Sequence, residues 1–141
     1  MPVPAELPHP ETADLELASV LHALSDPVRL QLVACLACDE GENCGDLSQH
    51  IALHKSTLSH HYRVLREAGI TRTTIRGRTR VMRLRYEDLH ARFPGLLDVV
   101  FRGLVDMIEE QWDGSAEDRE KLLAALRRPV APGRYSGAAA K

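Results

Sequence analysis

A chain of 141 residues, 44% apolar and 27% charged, suits one folded core with a little extra rather than two cores or a disordered chain. Its longest apolar run, Leu32 to Cys38, has seven residues, against about eighteen for a membrane span, and three cysteines, an odd number, do not make a disulfide framework. The net charge of −2 conceals a block, residues 54–85, with nine bases and one acid (net +8, leaving −10 elsewhere), which reads as a polyanion-binding face or, alternatively, as a solvated charged surface.

Residues 1–11 hold four prolines and little periodicity and are expected to form a flexible arm. The N-terminus carries acids where a secretory signal has bases, so the expectation is a cytoplasmic protein with free thiols and no membrane partner. A first helix is predicted over residues 12–24, with Leu15, Leu17, Val20, Leu21 and Leu24 on one side. Ser25-Asp26-Pro27 interrupts it. Asp26 suits an N-cap and Pro27 a first helical position, so a second helix starts there and runs through Leu30, Val33 and Leu36 to about residue 38.

Asn43, with Asp46 three residues on, caps a short third helix holding Leu47 and Ile51. A turn over 52–54 leads to a fourth helix, 55–68, which Gly69 ends as a C′ residue. Its Leu58, Tyr62 and Leu65 fall at i, i+4 and i+7, a stripe facing inward. Over residues 70–85 β-branched residues and arginines flank Arg76-Gly77-Arg78, the pattern of a hairpin turning near Gly77.

Helical pattern resumes at Tyr86, breaks at Pro94-Gly95, and continues over 96–111 through Leu97, Val100, Leu104, Met107 and Ile108. A last helix over 115–127 is capped by Ser115 and Asp118, and residues 128–141, rich in Pro, Gly and Ala, form a disordered tail. The order is α-α-α-α-β-β-α-α, mainly α with a small β-hairpin: a winged helix-turn-helix. Residues 12–111 are then the DNA-binding and dimerisation domain, followed by a C-terminal helix within 112–127.

In such a unit the second helix of the motif buries one face and offers the other to the DNA major groove. With Leu58, Tyr62 and Leu65 turned inward, Lys55, Ser56, Thr57, Ser59, His60 and Arg63 are the DNA-facing candidates. Short hydroxyls let the backbone approach phosphate, the helix N-terminus attracts an anion, and Ser, Thr and His can reach base edges. Arg72, Arg76, Arg78 and Arg80 of the hairpin suit phosphate or minor-groove contact on the flank. An acidic protein partner for the same basic face is the alternative. A salt series on random duplex separates the two, because phosphate binding is strongly salt-dependent.

Three ordered motifs resemble the ArsR/SmtB-type repressors over about residues 15–100. Ala23-Leu24-Ser25-Asp26-Pro27-Val28-Arg29-Leu30 resembles that family's "L-x-D-P-x-R-L" opening, and residues 56–69 its recognition helix almost position for position. Arg76-Gly77-Arg78, closed by Arg83-Leu84, resembles its wing. The resemblance implies a homodimeric bacterial transcription regulator, usually a repressor released by an inducer, which the motifs do not name. It implies a dimer built from the first helix and the helix after the wing, here Leu15, Val20, Leu21, Leu97, Val100, Leu104, Met107 and Ile108.

Two departures are visible. His54 stands at the recognition-helix N-cap where relatives commonly carry Ser or Thr. The family's two best-known metal sites have no ligands here: Asn43, Gly45 and Ser48 occupy the cysteine positions, and residues 96–111 contain no His. No metal and no cofactor is expected. Cys35, Cys38 and Cys44 could together bind a soft metal or form a redox disulfide, but the reading adopted is that of small hydrophobes in a buried helix. His50 and His54 are read as surface or packing residues. No nucleophile elbow, phosphate-binding loop or zinc-protease motif is present, so an enzyme is not expected. The expected setting is the cytoplasm, at the nucleoid.

Overall fold

Helix α2 (Pro27–Asp39) is the centre of the molecule, burying Leu32, Val33, Ala34, Cys35, Leu36 and Ala37 in succession. A helix apolar on all sides must be surrounded, and α2 packs against the helix over residues 55–67, the hairpin and the two C-terminal helices. Its start follows the sequence: the Asp26 carboxylate accepts from the backbone N–H of Val28 (2.7 Å) and Arg29 (3.2 Å). The computed structural model describes residues 5–39 and 53–128. The expected third helix, with Cys44 and His50, lies outside the described residues, as does the tail from 129.

In chain order the described elements are β1 (Ala5–Glu6), a 3-10 turn (Thr12–Asp14), α1 (Leu17–Ala23), α2, α3 (Lys55–Glu67), β2 (Thr71–Arg76), β3 (Thr79–Leu84), α4 (Tyr86–Arg92), α5 (Leu96–Gln111) and α6 (Ala116–Arg127). Strands β2 and β3 pair antiparallel from Thr71↔Leu84 to Arg76↔Thr79, and Gly77, at φ 62, supplies the left-handed turn between them. Among the described residues no single helix is long and apolar enough to cross a membrane.

Three expectations are corrected. The helix predicted over 12–24 is broken. Leu15 leaves the helical path (φ −66, ψ 129) and buries its side chain. A Cβ on Gly69 would overlap that side chain, so Leu15 seats where only glycine leaves room. The Leu15 carbonyl, lost to helical bonding, accepts from Arg92 Nη2 at 2.9 Å. Second, within the arm read as lacking regular structure, residues 5–6 form β1, a third strand on β2 (Ala5↔Ile75, Glu6↔Thr74). Third, three described helices follow the hairpin where the order α-α-α-α-β-β-α-α has two: the expected break at Pro94-Gly95 separates a short helix over residues 86–92 from α5.

The eight residues expected at a dimer interface divide. Leu15, Val20, Leu97, Leu104 and Ile108 are buried inside the single chain. Leu97, Leu104 and Ile108 share one core cluster with Leu122, Leu123 and Leu126 of α6 and with α2. Helix α6 therefore covers the face that periodicity alone left open. Leu21 is 50% exposed, and Val100 and Met107 are half-buried.

Candidate nucleic-acid interface

Helix α3 presents two faces of opposite chemistry. Leu65 is fully buried, and Leu58, Tyr62 and Val64 pack half-buried against the core. On the other side Lys55, Ser56, Thr57, Ser59, His60 and Arg63 are all exposed. The helix closes on Ala68, after which the Gly69 N–H donates to Arg66 O and the Ile70 N–H to Leu65 O, both at 3.0 Å. This paired reverse closure requires the left-handed Gly69 (φ 89) and turns the chain directly into β2. At the other end His54 caps with extended backbone and makes no side-chain bond to the first turn. A phosphate is the chemistry that such an end accepts.

Helix α3 is held from beneath by Arg29, a buried cation on α2. Its Nε donates to Ala23 O (2.6 Å) and its Nη2 to His22 O (3.3 Å), closing the C-terminus of α1. Its Nη1 lies 3.1 Å from Nδ1 of His61, the neighbour of His60 on α3. One guanidinium thus ties α1, α2 and α3 together. The sequence carries a signal for this role: a charged residue within the apolar period of the second helix.

Arg76, Arg78 and Arg80 at the wing tip are exposed, and their side chains make no hydrogen bond or ion pair among the described residues. Arg72 is also exposed but differs: its Nε is 3.6 Å from Glu6 and its Nη2 3.9 Å from Asp88. It sits directly across from Arg83, a like-charge pair that the two acids offset. Asp88 also accepts from the Thr12 hydroxyl (2.6 Å) and from the Nε of buried Arg85 (2.9 Å). Burial pushes the Asp88 carboxyl up, but the Thr12 and Arg85 hydrogen bonds and the charges of Arg85 and Arg72 outweigh it and hold it below the usual value. Arg72 is therefore drawn back to the scaffold, while the tip arginines are not.

Between α3 and the wing lies a cleft of about 210 Å³, walled by Leu58, Tyr62 and Met82 and rimmed by Lys55, Arg66 and Arg80. The arrangement offers hydroxyl, imidazole and guanidinium donors along one helix, with a cationic flank on the wing, groups of the kind that bind phosphates and base edges. Arg66, on the cleft rim, belongs to this surface although the periodicity argument did not single it out. Cys35 is buried and Cys38 half-buried, and neither is in a disulfide. Among the described residues no three His, Cys, Asp or Glu side chains group as a metal site.

Residues 24–74 match the family model described as a helix-turn-helix domain. The chain is 34% identical over 84 residues to the uncharacterized HTH-type transcriptional regulator YceK of Bacillus subtilis, covering 59% of this chain and 84% of that protein. It is 37% identical over 75 residues to the arsenical resistance operon repressor of Staphylococcus xylosus, covering 52% and 70% respectively. With the biofilm growth-associated repressor of Xylella fastidiosa (strain Temecula1) it shares 36% identity over 101 residues, 67% of this chain and 83% of the relative.

Proposed function

The chain belongs to the ArsR-type family of helix-turn-helix transcriptional regulators and is a DNA-binding transcriptional repressor; from that premise we propose that it binds an inverted-repeat operator as a homodimer, with α3 in the major groove and the wing on the flanking backbone. One observation carries the reading. All six polar residues picked from the sequence of α3 are exposed on the side away from Leu65, beside the three unpaired arginines of the wing tip. Lys55, Ser56 and Thr57 meet phosphate at the helix start, Ser59, His60 and Arg63 reach base edges, and Arg76, Arg78 and Arg80 hold the flank. Arg72 contributes less, since Glu6 and Asp88 compete for it.

The homodimer uses what the single chain leaves open. Leu17 (49% exposed) and Leu21 (50%) lie at i and i+4 on α1, and Val99 (67%) leads to Gly103 and half-buried Met107 at i+4 and i+8 on α5. Exposed apolar side chains spaced along two helices suit a two-fold interface. Such a dimer sets two recognition helices about 34 Å apart, one DNA turn. In this reading residues 12–111 form the DNA-binding and dimerisation domain, α6 completes its core, and the protein works without enzymatic chemistry, at the nucleoid in the cytoplasm.

The test is fluorescence anisotropy on operator and random duplex across a salt series, with sedimentation of the free protein. Binding that weakens steeply with salt, by a protein sedimenting as a dimer, supports the proposal. No binding to random duplex at low salt overturns the DNA-facing assignment, and a monomer at micromolar concentration overturns the two-fold arrangement.

A further inference from the structure

The arm that precedes the first turn joins the two elements assigned to DNA. Its residues Ala5 and Glu6 add a strand to the wing, and the Leu7 N–H donates to Thr73 O at 3.0 Å. The Pro8 carbonyl accepts from Nε of Arg66 on the recognition helix at 3.2 Å. Two residues further, Pro10 O accepts from Nη1 of buried Arg85 at 2.8 Å, and the Pro10 ring lies against Gly69, where α3 turns into β2. Within six residues the chain thus touches the wing strand, the recognition helix and the joint between them. Except for the ion pair of Glu6 with Arg72 and the Pro10 ring against Gly69, the contacts that link them are made by the arm's backbone.

We infer that this arm is a strap that sets the wing against the recognition helix, so that Leu7 and Pro8 act in operator recognition as positioning residues without touching DNA. A two-stranded ribbon is marginal in isolation, and here the third strand is the arm itself. Phosphate contact by Arg76, Arg78 and Arg80 while α3 sits in the groove needs one wing angle. Random duplex imposes no such requirement, because the wing meets a phosphate at many angles. The inference rests on the assignment of α3 and the wing to DNA.

Leu7→Pro tests it, since proline keeps an extended backbone and removes the donor to Thr73 O, together with the leucine side chain; Leu7→Val also changes that side chain but keeps the donor, and serves as the rescue. For Leu7→Pro we expect operator affinity to fall about five- to tenfold with random-duplex affinity and salt slope unchanged, and Leu7→Val to bind as wild type. The wild-type Leu7 amide should be protected from hydrogen exchange. Unchanged operator affinity, or an unprotected Leu7 amide, overturns the strap. A parallel fall on both duplexes with a shallower salt slope also overturns it, by making the arm a direct phosphate contact. If Leu7→Pro does not fold, a chain lacking residues 1–7, which removes β1 and the Leu7 donor and leaves Pro10 and Leu15 in place, decides by the same criteria. His60→Ala and Arg78→Ala run in parallel: if neither weakens binding, the DNA assignment itself has failed, whereas if they weaken it and Leu7→Pro does not, only the strap has.

Discussion

Helices α3 and α5 are both amphipathic and close in length, yet α5 buries Leu97, Phe101, Leu104 and Ile108 while α3 buries only Leu65. The difference lies in their neighbours. Helix α5 is packed by α2, α4 and α6, so its apolar stripe is enclosed. Helix α3 leans on α1, α2 and β2 from one side, and its other side carries six exposed polar residues. Of the two, α5 belongs to the core and α3 keeps an open polar face; with α3 assigned to DNA as proposed, substitutions should separate stability from binding.

The largest effect is expected from Leu104→Ala, which removes a fully buried side chain between α5 and α6. Such truncations cost about 2–5 kcal/mol. The urea midpoint should fall by the same amount at low and high protein concentration, and the folded fraction should bind operator as before. A loss that grows on dilution would place Leu104 at a subunit contact and break the contrast. Next comes the triple Cys→Ser protein. Its cost at Cys35, buried in α2, should be about 1–3 kcal/mol if the hydroxyl finds no partner. DNA binding should persist, since none of the three cysteines lies on α3 or the wing. Release of wild type from DNA by As(III), Cd(II) or peroxide, with the serine protein staying bound, would overturn that reading and make the thiols a sensor.

The inward stripe of α3, its Gly69 closure and the turn at Gly77 were legible because each depends on residues adjacent in sequence. The Ser115 cap is of the same kind, its Oγ accepting from the Asp118 N–H at 3.1 Å. Along α5 the period identified an apolar face but not its occupant. Leu122, Leu123 and Leu126 cover it from the same chain, where a second subunit was expected. Leu15 was misplaced for a related reason: it leaves the helix to fill the space that glycine leaves at position 69. The prolines of the arm suggested a flexible segment, but they also suit an edge strand, where an absent N–H costs little. All ten DNA-facing candidates are exposed. That Arg72 is shared with Glu6 and Asp88 was illegible, because the pairing needs strand β1 in place.

On the reading side, His60→Ala should relax sequence preference, at about 1–3 kcal/mol per recognised base pair, and leave the unfolding midpoint where it was. Arg78→Ala should weaken operator and random duplex by similar factors and lower the salt slope by about one unit. Arg72→Ala should do the same to a smaller extent, because its side chain is already partnered. Competition titrations with operator and random duplex distinguish these outcomes. A change confined to specificity in Arg78→Ala would mean that the wing reads bases, and base reading would then no longer belong to α3 alone.

The smallest effect belongs to Asp26, which caps α2, the helix that supports both α3 and α5. Burial opposes ionisation of its carboxyl, but the backbone N–H groups of Arg29 and Val28 and the charges of Arg29 and His61 outweigh it, holding it below the ordinary carboxylate value. A group depressed in the folded state contributes stability that is full above its unfolded value, about 3.9, and is lost as the pH falls through the folded one. The cap's share should therefore be constant from pH 7 to 5 and disappear below about pH 4. Replacing Asp26 by Ala should cost about 0.5–2 kcal/mol at neutral pH. Asn caps nearly as well without titrating, so Asp26→Asn should match wild type at pH 7 and show a flatter acid limb in urea melts. Since α2 underlies both helices, the loss in Asp26→Ala should appear in the unfolding midpoint with operator affinity unchanged. If operator affinity fell while the midpoint held, the cap would act chiefly through Arg29 on the recognition helix, and stability and reading would be coupled at this junction.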